Sequence, residues 1–478
     1  MLGAFNTFNA KKSRLQNFTR ERKPIIQLLK KLSVSRYFRA QTTRNVAVLL
    51  RTVISKTAQS FTHTLHSPNG NINPLRNNLH TLHRKSSGWS FLNASFLWTA
   101  VALVAITNTS LNAQDTTSDE ASSESTTATW QDTLRLSGDF RSRYEGFYQT
   151  ARPTRNRTRL RLRLRVDSEI NDDTRFQLQV ASGDPGTPAS TNQTFKGFFR
   201  PKPFNLDRAF VVYNPQAADA LTLGVGKFPT PLMRTQMTFD DDLNFEGGWE
   251  QFSWQPQENV AIDLIALQTA VNEVSRGADA YMLGGYGAAS FTFGSNSFQL
   301  STANYMWRNA DQIVAAQASG ELSSILTNRV IRNTTGIATN YASEFNVIDV
   351  IAEATLSTPN PDYPFRLLVD YAVNTKATTD RNKGLWIEAA YGDPGPVGSW
   401  GATYTRGWIE QDVTPSAFVF SDMPGTNIRL DMIETSYVVR PGVSLDVTLH
   451  LTKRLFIAQN DISNHLLTRL HVATVIRF

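Results

Sequence analysis

The feature that most restricts the fold of this chain is a stretch in which arginine alternates with aliphatic residues. The arginines lie at every second position, at Arg157, Arg159, Arg161, Arg163 and Arg165. Leucines and a valine fill alternate positions, at Leu160, Leu162, Leu164 and Val166. Successive side chains of a β-strand point to opposite faces, so such a strand has one cationic and one aliphatic face. A soluble core does not accept the cationic face, whereas a membrane barrel directs it to an aqueous lumen and the aliphatic face to lipid.

The same two-residue alternation, interrupted by turn residues, continues from residue 130 to the C-terminus. It predicts three strands before residue 182 and thirteen more near 206–213, 220–228, 249–255, 259–269, 280–293, 298–308, 344–357, 365–374, 385–391, 399–408, 426–439, 444–453 and 465–478. Alternate connections are short, and the others are long, at about 184–205, 229–247, 309–343, 375–384 and 409–425. This asymmetry is typical of barrels with periplasmic turns and external loops. We therefore predict an all-β fold, a transmembrane antiparallel up-and-down β-barrel of about 16 strands, closed by the C-terminal strand.

The last strand supports this prediction most directly. Its residues alternate from Leu470 to Phe478, and the chain stops at the aromatic Phe478. An apolar, alternating final strand that ends in Phe resembles the C-terminal signal by which bacterial outer-membrane barrels are recognised during assembly. We therefore assign Phe478 as an assembly signal and the barrel assembly machinery as a partner.

The N-terminal part of the chain differs from the rest in charge. Residues 1–113 contain sixteen Lys and Arg and the single acid Glu21, so the net charge of +7 comes from this part. The remainder is acidic, and we do not expect nucleic acid as a partner. Residues 96–106 (FLWTAVALVAI) are too few for a spanning helix but fit the h-region of a signal peptide, with cleavage near Ala113.

These observations predict four segments. Residues 1–95 form a basic extension, which is either the product of a start codon assigned too far upstream or an organelle presequence. Residues 96–113 form the signal-peptide h-region and cleavage region, and residues 114–129 a flexible acidic leader. Residues 130–478 form the outer-membrane β-barrel.

Composition argues against several kinds of chemistry. The chain has no cysteine, which excludes disulfides, thiolate nucleophiles and Cys-type metal sites. The tetrad HTLH at His63–His66 and His80–His83 lies in the extension, without a carboxylate or cysteine beside it. The sequence Gly224–Lys227 is followed by Phe228 where a phosphate loop requires Ser or Thr. We expect neither a metal nor a cofactor.

Several stretches together resemble a known family. They are LSGDFRSRYEGF (136–147), RNRTRLRLRLRVDSEINDDTRFQLQVASGDP (155–185), STNQTF (190–195), LDRAFVVY (206–213), LTLGVGKFPTP (221–231) and FDDDLNFEGGW (239–249). The chain resembles the bacterial putative porins of the sixteen-stranded type, closely over about residues 134–255 and in pattern only beyond them. The resemblance implies a passive channel in the bacterial outer membrane without implying a substrate. The N-terminal extension departs from the family, which puts the assigned start in doubt.

The arginine face has two interpretations, both of which make it pore-lining. The predicted set comprises Arg141, Arg143, Arg157, Arg159, Arg161, Arg163 and Arg165. If the acids Asp139, Glu145 and Glu169 neutralise it, the set is a structural charge lattice of the barrel wall. Otherwise it is a positive track that favours anions.

A cluster of acids lies in the long loop 229–247, at Asp240, Asp241, Asp242 and Glu246. In porins a long loop often folds inward and narrows the lumen, so we predict that these residues belong to a constriction loop. Opposite an arginine wall they would create a transverse field. The alternatives are a solvated external loop and a calcium site, although the spacing lacks the EF-hand pattern.

Aromatic residues are frequent near strand ends. They include Tyr144, Tyr148, Trp249, Trp254, Tyr305, Trp307, Tyr371, Trp386, Tyr391, Trp400, Tyr404 and Trp408. We predict that they form the girdles at the two membrane interfaces.

The leading functional prediction is an outer-membrane porin, a passive and non-enzymatic diffusion channel for small hydrophilic solutes with a preference for anions. One alternative is a barrel enzyme such as a lipase, for which His450, His465 and His471 are the histidines beyond the leader. Asp446 lies about 13 Å from His450 along the strand, too far for a catalytic triad. The other alternative is a non-conducting structural or adhesive barrel. Outer-membrane lipids are expected partners, and a homotrimer and a monomer both remain open.

Overall fold

The computed structural model describes residues 133–324, 326–457 and 464–478. These residues belong to the second of two units into which the chain divides, Ser86–Phe478. The predicted basic extension, signal peptide, cleavage region and acidic leader lie outside the described residues. Within the described residues, no helix is both long and apolar enough to cross a membrane.

Sixteen antiparallel strands form one closed ring, which confirms the predicted fold and strand number. In chain order they are β1 (Arg135–Gln149), β2 (Arg155–Asn171), β3 (Thr174–Ser182), β4 (Phe204–Tyr213), β5 (Leu221–Pro229), β6 (Asn244–Gln257), β7 (Val260–Asn272), β8 (Ala280–Phe293), β9 (Asn296–Arg308), β10 (Asn346–Leu356), β11 (Phe365–Asn374), β12 (Lys383–Tyr391), β13 (Trp400–Ile409), β14 (Ile428–Arg440), β15 (Val443–Arg454) and β16 (Leu467–Arg477). The two-residue strand Gln193–Thr194 pairs with β2 and is not part of the ring.

The ring closes between the first and the last strand. The register pairs Phe140 with Ile476 and Tyr144 with Val472. Beyond the end of β16, the Gly138 N–H donates to the Phe478 carbonyl at 2.7 Å, and the Phe478 N–H donates to the Gly138 carbonyl at 3.1 Å. Closure leaves no unpaired sheet edge, which is the condition for a sheet to span a bilayer.

The two faces of the strands follow the predicted parity. Leu136 and Phe140 of β1 are exposed on the outside, and so are Val472 and Ile476 of β16. The other parity of β16, including Arg469 and His471, is buried inside the barrel. The outer surface therefore carries an aliphatic and aromatic band suited to lipid.

The predicted aromatic girdles are only partly present. Tyr144, Tyr371, Tyr404 and Trp408 are exposed on the outer surface, as expected. Trp249, Tyr305, Trp307 and Trp386 are instead buried inside the barrel, each with at most 6% exposure. The prediction was wrong for these four, because they have inward parity and belong to the apolar core inside the barrel.

Long loops lie at one end of the ring and short turns at the other. The long loops span 183–203, 230–243, 309–345 and 410–427, and the third contains helix α1 (Asp311–Ser319) and the paired strands Val330–Arg332 and Ala338–Tyr341. Parts of these loops fold into the barrel and form an apolar core against the inner wall. Phe239 of loop 230–243, for example, packs edge-on against Tyr305 at 5.0 Å between ring centroids. This core lies mainly against β5–β14, and the arginine wall of β1 and β2 is left to line the remaining space.

Candidate pore constriction

The arginines of β2 face the interior beside the polar face of β1. The register places Asp139 opposite Arg163 and Glu145 opposite Arg157. Residues directly opposite on antiparallel strands share a face, so the two acids stand within the arginine row. The side chains of Arg157, Arg159, Arg161 and Arg163 are each between 11% and 21% exposed. All seven predicted pore-lining arginines lie on inward-facing positions of β1 and β2.

Asp139 neutralises part of the row. Its carboxylate accepts from Arg161 Nη2 at 2.7 Å and from Arg163 Nε at 2.6 Å. Arg165 is bound differently, because its Nε donates to the amide oxygen of Gln179 on β3 at 3.1 Å.

Glu145 is the centre of a second, more buried group. Its side chain is fully buried and accepts from Arg157 Nε at 2.5 Å and from Arg469 Nη2 at 3.0 Å. Arg143 contacts the same carboxylate, and Arg159 lies 3.6 Å from it. Glu169, the third predicted counter-charge, lies instead at the exposed end of the strand, 3.8 Å from Arg135.

Asp422, which the sequence did not single out, completes this group from loop 410–427. It accepts from Arg143 Nη1 at 2.8 Å and from Arg469 Nη2 at 2.7 Å. Burial opposes ionisation of Asp422, but the two guanidinium groups outweigh burial and hold the pKa of its carboxyl well below the usual value. One loop carboxylate therefore joins the first and the last strand of the barrel.

Two arginines of the wall bind the neutral residue Asn192. Arg141 donates to the side-chain oxygen of Asn192 at 2.6 Å, and Arg159 donates to the Asn192 carbonyl at 3.2 Å. No carboxylate of the described residues lies within 4 Å of the Arg141 guanidinium. Neutral oxygens satisfy hydrogen-bond donors without cancelling charge, so Arg141 retains much of its field. Arg159 shares the single charge of Glu145 with three other arginines and is therefore neutralised only in part.

The cluster as a whole has an excess of positive charge. Its guanidinium groups belong to Arg141, Arg143, Arg157, Arg159, Arg161, Arg163 and Arg469, and its carboxylates to Asp139, Glu145, Asp242 and Asp422. Seven cations against four anions leave a formal excess of three positive charges. The wall therefore combines a charge lattice with a cationic remainder.

Loop 230–243 crosses the barrel interior, as a constriction loop would. At one end Asp242 lies 3.4 Å from Arg163 and accepts from the Thr191 hydroxyl at 2.9 Å. At the other, the Thr235 hydroxyl donates to Asp370 on the inner wall of β11. The loop thus connects the arginine wall to the far side of the barrel.

The four predicted constriction acids have separate roles. Asp240 is buried and accepts from the backbone N–H groups of Ser421 at 2.5 Å and Asp242 at 2.7 Å. Asp241 is exposed and pairs with Arg234 at 2.8 Å. Glu246 does not lie on the loop, because β6 begins at Asn244 and the Glu246 side chain points outward, 2.7 Å from Lys227. Of the four acids, Asp242 is the one bonded to the arginine wall.

Opposite environments separate the pKa values of Asp240 and Asp242. Burial, with the charge of Asp242 nearby, raises the pKa of Asp240 to about 8. Burial also opposes ionisation of Asp242, but Arg161, the Thr191 N–H and Arg163 outweigh it and lower the pKa of its carboxyl. At neutral pH Asp242 is therefore charged and Asp240 is mostly protonated.

Cavities lie on both sides of the arginine cluster. The one on the loop side has a volume of about 1030 Å³ and is lined by Arg157, Arg159, Asn192, Asp422 and Arg469, among others. The one on the turn side has a volume of about 460 Å³. Arg141 and Arg143 line it on one side, and Glu434 and Asp446 contribute acids from β14 and β15. Arg157, Arg159, Asp422 and Arg469 of the cluster line the larger cavity, and Arg141 and Arg143 line the smaller one.

The histidines and acids near Asp422 do not make a convincing metal or catalytic site. Glu145, Asp422 and His471 each have a ligand atom within 4.8 Å of the others, but both carboxylates already bind arginines, whose charge disfavours a cation. His450 is buried, and neither of its ring nitrogens has a hydrogen-bond partner among the described residues. The donor set therefore fits a polar wall better than a resident metal.

Comparison with known proteins finds a match to one family model and similarity to several solved structures. A family model described as "putative porin" matches residues 147–363. Among solved structures, the high-pH structure of OprB from Pseudomonas putida has a TM-score of 0.48 at 10% identity, covering 73% of this chain and 95% of OprB. OmpF of Salmonella typhi with daunomycin has a TM-score of 0.43 at 11% identity, covering 72% of this chain and 97% of OmpF. OmpT of Vibrio cholerae, in a trimer form, has a TM-score of 0.41 at 10% identity, covering 72% of this chain and 99% of OmpT. No curated protein matches the chain.

Proposed function

We propose that this chain, an outer-membrane porin of bacterial putative-porin type, is a passive channel for small hydrophilic solutes whose constriction favours anions. The observation that carries the proposal is the excess of guanidinium groups over carboxylates in the cluster. Arg141 binds the neutral Asn192 side chain, and Arg159 binds the Asn192 carbonyl in addition to its 3.6 Å contact with the shared carboxylate of Glu145. Arg159 lines the larger cavity and Arg141 lines the smaller one.

The positions of the charges support selectivity at short range. Fields of exposed charges are screened over about 10 Å at 0.1 M salt, so charges at the narrowest part of the path dominate permeation. There the arginine cluster has its excess of positive charge. Glu434 and Asp446 lie across the smaller cavity and create a transverse field with Arg141 and Arg143, which orients polar solutes. The transverse field therefore comes mainly from the strands and less from the loop acids.

The test is the reversal potential of the purified protein in a planar bilayer under a potassium chloride gradient. Wild type is expected to prefer chloride, and Arg141→Gln/Arg159→Gln is expected to lower that preference several-fold, because two weakly compensated charges are removed. Arg276→Gln/Arg332→Gln is the matched control, since both residues are exposed in loops away from the cluster. Unchanged selectivity of the first variant in a folded barrel would assign the row to wall structure alone.

The same recordings address the other functional alternatives. A folded barrel that does not conduct would favour a structural role. Ester hydrolysis that disappears in His450→Ala would favour an outer-membrane lipase. We also propose a homotrimer as the working assembly, which predicts three conductance steps for each insertion event.

A further inference from the structure

One part of the outer surface is unsuited to lipid. Glu250 of β6 points outward, at the seventh position of a fourteen-residue strand, and accepts from Gln268 Nε2 of β7 at 2.8 Å. Trp254, exposed on the same face, lies about 13 Å further along the strand toward the turn end. The carboxylate is therefore within the membrane band, where ionisable groups are unfavourable even when they are paired.

The row of outward residues that contains Glu250 is small and polar, whereas Phe252, Leu264 and Leu300 occupy the next two rows toward the turn end. The register forms one row across four strands, with Glu250 opposite Ala266, Ala266 opposite Gly285, and Gly285 opposite Asn304. A Cβ atom at Gly285 would meet no atom within 4 Å, so the surface is indented there. By contrast, the outward faces of β10–β12 carry residues such as Val350, Leu367, Val369 and Leu385.

We propose that this outer face of β6–β9, formed by Glu250, Ala266, Gln268, Gly285, Gly287, Thr302 and Asn304, is where a second copy of the chain docks. This inference rests on the proposed porin assembly and names the surface that it uses. The order of polar groups along the row indicates that the partner is a second copy of the chain. The row has a hydrogen-bond acceptor, the Glu250 carboxylate, at its β6 end and a donor, the Asn304 amide, at its β9 end.

Symmetry makes these ends complementary. Consider two copies related by a rotation about an axis parallel to their barrel axes. The left side of the patch on one copy then faces the right side of the patch on the other. The Glu250 end of each copy then faces the Asn304 end of its neighbour, and the indentation at Gly285 allows close approach of the two sheets. Small residues with a few polar groups are the usual means of association inside a membrane, where apolar surfaces gain nothing by leaving lipid.

A second outward polar group does not compete for this role. Arg406 pairs with Asp431 beside Tyr404. Arg406 lies three residues before the loop end of β13, and Asp431 three residues after the loop end of β14. This pair is therefore close to the membrane surface, where long polar side chains reach water.

Crosslinking in intact outer membranes is the first test. The chain has no cysteine, so Gly285→Cys introduces a single thiol. A short bis-maleimide is expected to convert a large fraction of Gly285→Cys to a dimer of the chain. Ala389→Cys on β12 is the matched control, because it has outward parity far from the patch, and is expected to remain monomeric on denaturing gels. Equal crosslinking of the two variants, or none at Gly285→Cys, would overturn the proposal.

Mass measurement in mild detergent is the second test. Wild type and Ala389→Trp are expected to be oligomeric, whereas Gly285→Trp fills the indentation and is expected to be monomeric, with heat-modifiable mobility showing that its barrel is folded. A monomeric wild type, or a Gly285→Trp variant that is folded and still oligomeric, would refute the interface. Bilayer recordings separate the two proposals. A Gly285→Trp monomer that conducts and prefers chloride would support the porin function independently of the interface. A wild-type oligomer that does not conduct would support the interface and contradict the porin function.

Discussion

Asp422 accepts a hydrogen bond of 2.8 Å from Arg143, although 279 positions separate the two residues in the sequence. The same carboxylate accepts from Arg469, so it bridges β1 and β16 at the point where the ring closes. Loop 410–427 also binds loop 230–243, because the Asp240 N–H donates to the Phe418 carbonyl at 2.9 Å. Ring closure and the position of loop 230–243 therefore depend on one segment of chain.

Removal of the Asp422 carboxylate is expected to destabilise the barrel and widen the path. In Asp422→Ala, Arg143 and Arg469 remain buried and lose one of the two carboxylates that they share, Glu145 being the other. Leaving a buried charge wholly unpaired costs about 3–5 kcal/mol, so we expect a smaller loss here. We expect a lower temperature for loss of heat-modifiable mobility and a larger single-channel conductance. Asp380→Asn, an exposed acid of another loop, is the control. Wild-type stability and conductance in Asp422→Ala would show that the bridge is dispensable.

Alkaline pH is expected to loosen the two interior loops through Asp240. Its pKa is about 8 in the folded protein and near 3.8 when unfolded, so the folded state binds the proton more tightly. The contribution of Asp240 to the free energy of unfolding is therefore fully present below about pH 4 and is lost as the pH rises through about 8. Melting of the barrel between pH 6 and pH 9 should fall with pH in wild type and less steeply in Asp240→Asn. Asp241→Asn should behave as wild type, and equal slopes for all three proteins would contradict the assignment.

The C-terminal residue is expected to act through its backbone as well as its ring. Phe478 exchanges two hydrogen bonds with Gly138, and a Cβ at Gly138 would lie 2.9 Å from the Phe478 ring. Deletion of Phe478 removes both bonds and should reduce assembled, heat-modifiable protein in the outer membrane more than Phe478→Ala, which keeps the backbone. Wild-type yield of the deletion variant would argue against the terminus as an assembly signal.

Which parts of the fold and the site could be predicted from the sequence depends on how far apart the interacting residues are in the chain. The arginine face was predictable, because parity along one strand decides which way Arg157 and Arg163 point. Asp139 was predictable as a counter-charge for the same reason, since β1 and β2 are joined by a short loop. Asp422 was not, because its role depends on where a loop folds after the ring has closed. A lone acid among Ser, Phe and Met in 416–423 gives no periodic signal of that position.

The interior aromatics show the same limit. Trp249 begins the predicted strand 249–255, a position that favours a girdle, whereas β6 itself begins at Asn244 and places Trp249 well inside the strand. Inside the barrel it packs on Phe228, with 4.5 Å between ring centroids, and over Gly224 of β5. The loops that cover this surface come from distant parts of the chain, so the burial of Trp249 depends on contacts that alternation along a strand does not encode.

The packing of Trp249 gives a final prediction. A Cβ at Gly224 would lie 1.9 Å from the Trp249 ring, so Gly224→Ala must displace the indole from its place in the interior core. Overpacking of this kind costs about 1–3 kcal/mol, and the loss should appear as a lower melting temperature and altered tryptophan fluorescence. Gly395→Ala is the matched control, because the same added methyl group meets no atom within 4 Å. If both variants melt together with wild type, Trp249 is not held against Gly224, and the apolar core between the loops and β5–β14 is looser than these contacts require.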